Sequence, residues 1–122
     1  MREAIIEKFL KEVPEFRNIF RENCTQNLVD SEDGIYVLWG LGIMPGVIKF
    51  LRQPEMYKKQ LQNIFAFFEK MANSERGEIR ELLMYSTLET LDDYKDILTI
   101  AYTFMGNKTK ELLNNVQNFL GE

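Results

Sequence analysis

Histidine is absent from this 122-residue sequence, and cysteine occurs once, at Cys24. The first absence removes Ser-His-Asp and Cys-His nucleophilic sites, imidazole acids and bases, and most zinc and non-haem iron centres. The second removes internal disulfides and thiolate clusters. Cys24 follows Phe20 at core spacing and reads as a buried structural thiol. A phosphate-cradling loop is missing as well, because WGLGIMPG around Trp39 has neither the glycine spacing nor the lysine such a loop needs. No apolar run reaches the ~20 residues of a membrane-spanning helix. The longest, Ile35 to Ile48, is interrupted by Gly40, Gly42, Pro45 and Gly46. The opening MREAIIEKFLKEV is amphipathic and contains acids, unlike a signal peptide. A cytoplasmic protein without a membrane span, a cofactor or an enzymatic site is the expectation.

Basic residues are also in deficit, 15 Lys and Arg against 19 Asp and Glu. The imbalance is uneven: residues 1–33 carry 5 basic and 8 acidic groups, 34–73 carry 5 and 2, and 74–122 carry 5 and 9. Nucleic acid is therefore not an expected partner, since that affinity rests on neutralising phosphates. An acidic surface suits a basic protein instead, and it also keeps a chain soluble. What is present is a 45% hydrophobic and 12% aromatic composition. That is enough for one domain over 1–122 to bury a core without disulfide or metal.

The periodicity predicts an all-α protein of about six to seven helices. Ile5, Ile6, Phe9, Leu10 and Val13 form the apolar side of a first helix that Pro14 ends. Phe16, Ile19, Phe20 and Cys24 repeat the pattern in a second, and Asn27 to Gly34 is a loop by composition. Its Asp30, Glu32 and Asp33 do not form a calcium loop, because aligning Gly34 to the required glycine places Val29 at the first ligand. Ile35 to Met44, rich in β-branched and aromatic residues, reads as a short extended segment. Alternation would send Ile35, Val37 and Trp39 one way and Tyr36 and Leu38 the other. A short helix, Val47 to Gln53, and a long one, Glu55 to Ala72, follow. Asn73 and Ser74 supply a turn and an N-cap. Asp92 and Asp93 would cap a helix over Tyr94 to Met105, with Gly106 as its stop. The last helix, Lys108 to Leu120, ends at Gly121.

Between these lies Glu78 to Asp92, which carries two apolar arcs: Ile79, Leu82 and Leu83, then Met84, Leu88 and Leu91. Two arcs predict a helix covered from two sides. A weak internal echo supports stacked helical hairpins, HEAT-like or as an irregular bundle. Tyr57-Lys58 with Leu61 recurs as Tyr94-Lys95 with Leu98, and Arg80-Glu81-Leu82-Leu83 as Lys110-Glu111-Leu112-Leu113. What a straight helix leaves outside is one strip, Glu78, Glu81, Tyr85, Glu89 and Asp92, the first candidate partner-binding face. Tyr36 and Trp39 are the second: Trp39 is expected as a core plug, and exposure at a loop tip would make it an interface anchor. Ser86, Thr87 and Thr90 are expected to hydrogen-bond the carbonyl one turn earlier. Glu89, Asp92, Asp93 and Asp96 meet at a helix junction, where capping and the helix dipole account for Asp92 and Asp93 without metal.

Four segments carry a resemblance: YVLWG with Pro45 and Leu51, FFEKM at Phe67 to Met71, EIRELLMYSTLETL at Glu78 to Leu91, and MGNKTKELL at Met105 to Leu113. They are similar to a group of small bacterial all-helical proteins of uncharacterised function, some resembling immunity proteins that sit beside secreted toxins. The resemblance implies a helical fold and brings no catalytic residues. The expected function is non-enzymatic binding of another protein, such as a basic toxin domain, with self-association left open. The alternative is a small-molecule-binding or regulatory domain with a pocket between the 35–44 segment and the 78–92 helix.

Overall fold

The computed structural model describes residues 2–30 and 32–119. The described residues form seven helices and no strand. These are α1 (Arg2–Glu12), α2 (Phe16–Gln26), α3 (35–51), α4 (Lys58–Ala72), α5 (77–92), α6 (Lys95–Phe104) and α7 (Asn107–Phe119). Two of them contain a wider π turn: Trp39–Ile43 inside α3 and Leu83–Leu88 inside α5. Leu120 and Gly121, expected to finish the last helix, lie outside the described residues. The chain divides within α4 into two compact units, 1–64 and 65–122.

The first unit corrects the expected extended segment at 35–44, which is helical. Its β-branched and aromatic residues favour strands locally, but packing decides here. The buried positions are Leu38, Gly42, Gly46 and Phe50, beside Trp39, Ile43, Val47 and Leu51. Each row repeats every four residues. A straight α-helix would turn residue 50 about 120° away from residue 38, and the extra residue of one π turn removes about 100° of that. Pro45 supplies a local cause, since it cannot donate to the Leu41 carbonyl and its ring crowds that group. The turn just before it is wider, with the Met44 N–H reaching back to the Trp39 carbonyl.

The buried face of α3 packs on α2. A Cβ at Gly42 would lie 2.5 Å from the Phe20 ring, and one at Gly46 2.5 Å from Phe16. Both glycines therefore allow the two helices to meet. The Asn23 amide crosses the same contact and donates to the Gly42 carbonyl at 3.1 Å. Around it the rings of Trp39, Phe9, Phe16, Phe50 and Tyr57 form a chain, with successive centroids 5.5, 5.3, 5.5 and 4.0 Å apart. Aromatic pairs of this kind add about 0.5–1.5 kcal/mol each beyond burial. Cys24 is half-buried and free, and burial pushes its thiol above the ordinary value.

In the second unit, α7 packs against the π turn and the end of α5. The echoed segments start their helices alike. The Leu61 N–H donates to the Tyr57 carbonyl at 2.8 Å, as the Leu98 N–H does to that of Tyr94. Gly77 and Asn107 open α5 and α7, each three residues before the echoed Arg80 or Lys110. The helix start at Gly77 lies later than expected from Ser74. Arg76 is the N-cap residue, and the Ser74 hydroxyl accepts from the Arg76 N–H at 3.1 Å.

Candidate protein-binding surface

The central helix α5 is buried on two sides, through Leu82, Leu83, Leu88 and Leu91 together with Ser86 and Thr87. The Ser86 hydroxyl donates to the Leu82 carbonyl, and the Thr90 hydroxyl to that of Ser86 at 2.9 Å. This is the expected back-bonding, and it competes with the regular ladder where the π turn forms. The Glu89 N–H reaches five residues back, to Met84.

That extra residue changes which side chains face outward. On a straight α-helix Asp92 would stand about 40° from Glu78, whereas one inserted residue carries it about 100° further round. Glu78 and Glu81, before the π turn, are exposed, and Tyr85 within it is 44% exposed. Glu89 is half-buried and Asp92 only 3% exposed. The expected five-residue strip is therefore an arc of three, with Glu89 at its edge. Asp92 is corrected from a contact residue, and from a helix cap, to a buried tie. Its Oδ1 accepts from Lys95 Nζ and Gln117 Nε2, each at 3.0 Å, linking α5 to α6 and α7. The N-cap residue of α6 is Tyr94, with no side-chain cap.

Charge on the arc is unevenly shared. Glu78 pairs with Arg76 at 2.6 Å, both partners being exposed. Glu81 has no such partner among the described residues, and the Tyr85 hydroxyl makes no hydrogen bond among them either. A large aromatic held at a fixed helical position beside a carboxylate is a surface that can contact a cationic side chain.

In the first unit Trp39 is fully buried, so it is the expected core plug and not an interface anchor. Tyr36 stays on the surface, 46% exposed. The first unit also carries a cleft of about 450 Å³. Ile6 and Leu10 of α1, Phe20 and Cys24 of α2, Val29 and Leu38 line it, and nothing from α5 does.

Sequence reasoning missed one heavily bonded carboxylate. Glu69 of α4 accepts from the Lys108 N–H at 3.0 Å, the Thr109 N–H at 2.9 Å, the Thr109 hydroxyl at 2.7 Å and the Asn73 amide at 3.1 Å. Burial alone would raise its pKa, but these bonds together hold it below the ordinary value. The group caps α7 from a distance of about 40 residues along the chain. That distance is why local capping signals could not find it. Gly106 is required by the same carboxylate, since a Cβ there would sit 2.5 Å from it. Among the described residues no three acidic or thiol side chains come together to hold a metal ion.

Fold and surface define an all-α protein whose twice-covered central helix leaves a small acidic and aromatic arc outside. A family model described as a domain of unknown function, DUF7674, matches residues 6–121, and the chain belongs to that family. No curated protein and no solved structure matches it. Among the described residues, no helix is long and apolar enough to cross a membrane.

Proposed function

We propose that this protein is a non-enzymatic, cytoplasmic binding protein that engages a basic protein through Glu78, Glu81 and Tyr85, with Glu89 at the rim. The observation that carries this reading is Tyr85, 44% exposed on a helix whose other faces are buried, directly between acidic positions. An aromatic flanked by carboxylates is a good anchor for a Lys- or Arg-bearing surface. Acidic complementarity would also speed association. A bacterial immunity protein that neutralises a toxin is the specific role this reading favours.

The test is titration calorimetry against the product of a neighbouring gene that encodes a secreted protein with a basic C-terminal domain. Tyr85→Ala combined with Glu81→Ala should weaken binding at least tenfold, with the melting temperature held within a few degrees. Unchanged affinity in a folded double variant would remove the arc from the interface. The cleft lined by Ile6, Leu10 and Leu38 supports the second reading, a regulatory small-molecule site in the first unit. A filling substitution such as Cys24→Phe would then abolish a ligand-induced rise in melting temperature without touching protein binding.

A further inference from the structure

We infer that the cleft between α1 and α2 binds a small monocarboxylate with a slim apolar tail, held at its head by Arg21. The inference rests on the second reading above, that this cleft is a small-molecule site, and adds the chemical class of its ligand.

The floor of the cleft is apolar and recessed. Ile6, Leu10, Val29 and Leu38 line its 450 Å³ and yet are only 6%, 5%, 9% and 5% exposed. Apolar surface set back this far is reached by a narrow chain, whereas the broad face of another protein would pass over it. The volume is that of ordinary small-ligand sites, roughly 300–1,000 Å³.

Charged residues of the same lining choose the head group. Arg17 and Arg21 stand one turn apart on α2, and Glu7 and Asp30 line the cleft with them. Both acids are already engaged: Glu7 meets Arg17 at 3.4 Å, and the Asp30 Oδ1 accepts from the Glu32 N–H at 2.8 Å. The Arg21 guanidinium has no partner among the described residues. A planar guanidinium receives a carboxylate through two parallel N–H donors. The Glu7 pair is long and exposed on both sides, so Arg17 can lend a further donor at little cost. The two acids limit the charge of the head. Arg21 neutralises one negative charge; the second charge of a phosphate monoester would be left facing Glu7 and Asp30. An ammonium head would leave Arg21 unanswered and set a like charge beside it.

Cys24 lines the cleft and is the chain's one thiol, so its alkylation by iodoacetamide reports on this site alone. Octanoate, 1-octanol, octylamine and octyl phosphate share a tail and differ in head. Octanoate should slow alkylation of the full chain saturably, half-maximally on the order of 100 µM, as suits a ligand of about ten heavy atoms. Octanol and octyl phosphate should need about tenfold more, the worth of a charge-assisted hydrogen bond, and octylamine should protect least. Arg21→Gln should erase the preference for octanoate while protection by octanol persists, which shows the cleft intact. Arg21→Glu should place octylamine ahead of octanoate. Lys49→Gln, on α3 and outside the lining, should change neither order. Equal protection by octanoate and octanol in the parent chain overturns the head-group assignment and leaves the small-molecule reading standing. No protection by any of the four overturns both. An octanoate preference that survives Arg21→Gln, or that Lys49→Gln removes equally well, overturns the role of Arg21.

Discussion

Glu69 is the residue on which most of the local chemistry of the second unit converges. Its carboxylate accepts four hydrogen bonds, three of them from Lys108 and Thr109 at the start of α7 and one from the Asn73 amide, and its pKa is lowered. A group with a depressed folded-state pKa stabilises fully above its unfolded value, here near 4.5, and the contribution disappears as pH falls through the folded value. Glu69→Gln should therefore cost about 1 kcal/mol at pH 7, and the gap from the parent chain should close below pH ~4.5 in thermal melts. Gly106→Ala should cost a similar ~1–2 kcal/mol, because its Cβ displaces the same carboxylate. Combined, the two should cost less than their sum, the mark of a shared interaction. Leu28 poses the opposite case. It is 91% exposed and sits at φ 55°, just past the end of α2, where the Val29 N–H bonds the Cys24 carbonyl at 2.8 Å. Glycine is the usual residue of this left-handed cap. Leu28→Gly should leave stability equal or raise it by up to about 1 kcal/mol in urea denaturation.

At the scale of the element, the two π turns decide what each long helix shows to the outside. In α3 the turn keeps two period-four rows of buried residues facing α2; in α5 it moves Asp92 inward and leaves Glu78, Glu81 and Tyr85 exposed. Packing tolerances follow directly. Gly42→Ala and Gly46→Ala should each destabilise by about 1–3 kcal/mol, since the added Cβ would lie 2.5 Å from the Phe20 ring in the first case and 2.5 Å from the Phe16 ring in the second. Trp39→Ala, which removes the fully buried end of the aromatic chain beside Phe9, should cost about 3–5 kcal/mol by calorimetry. Asp92→Ala should cost about 1–3 kcal/mol and leave partner affinity unchanged, which separates a buried tie from the exposed arc beside it in sequence.

For the whole molecule, the acidic balance of the chain sets how its surface responds to salt. The sequence pI is near 5.0. Binding of a basic partner through the acidic arc should weaken at least several-fold in calorimetry as salt rises from about 50 to 500 mM, because ions screen exposed carboxylates.

The helical class, the number of helices, the loop at 27–30 and 32–34 and the twice-covered central helix were legible because apolar spacing is a local record of burial. The buried Trp39 and the back-bonding of Ser86 and Thr90 could be read for the same reason. Three things could not. The helical state of 35–44 contradicts local β propensity and comes from Phe16 and Phe20 packing on Gly46 and Gly42, residues far apart in sequence. The capping of α7 by Glu69 joins groups about 40 residues apart. The loss of Asp92 from the exposed strip arises from one extra residue in a helical turn, and a pattern read at a constant 100° per residue cannot register it. By itself the sequence determined which side chains seek burial and which reactive side chains, histidine above all, are missing. Only the tertiary structure decided which way those side chains point, because rotation about a helix axis accumulates along the chain and long-range packing sets where it is interrupted.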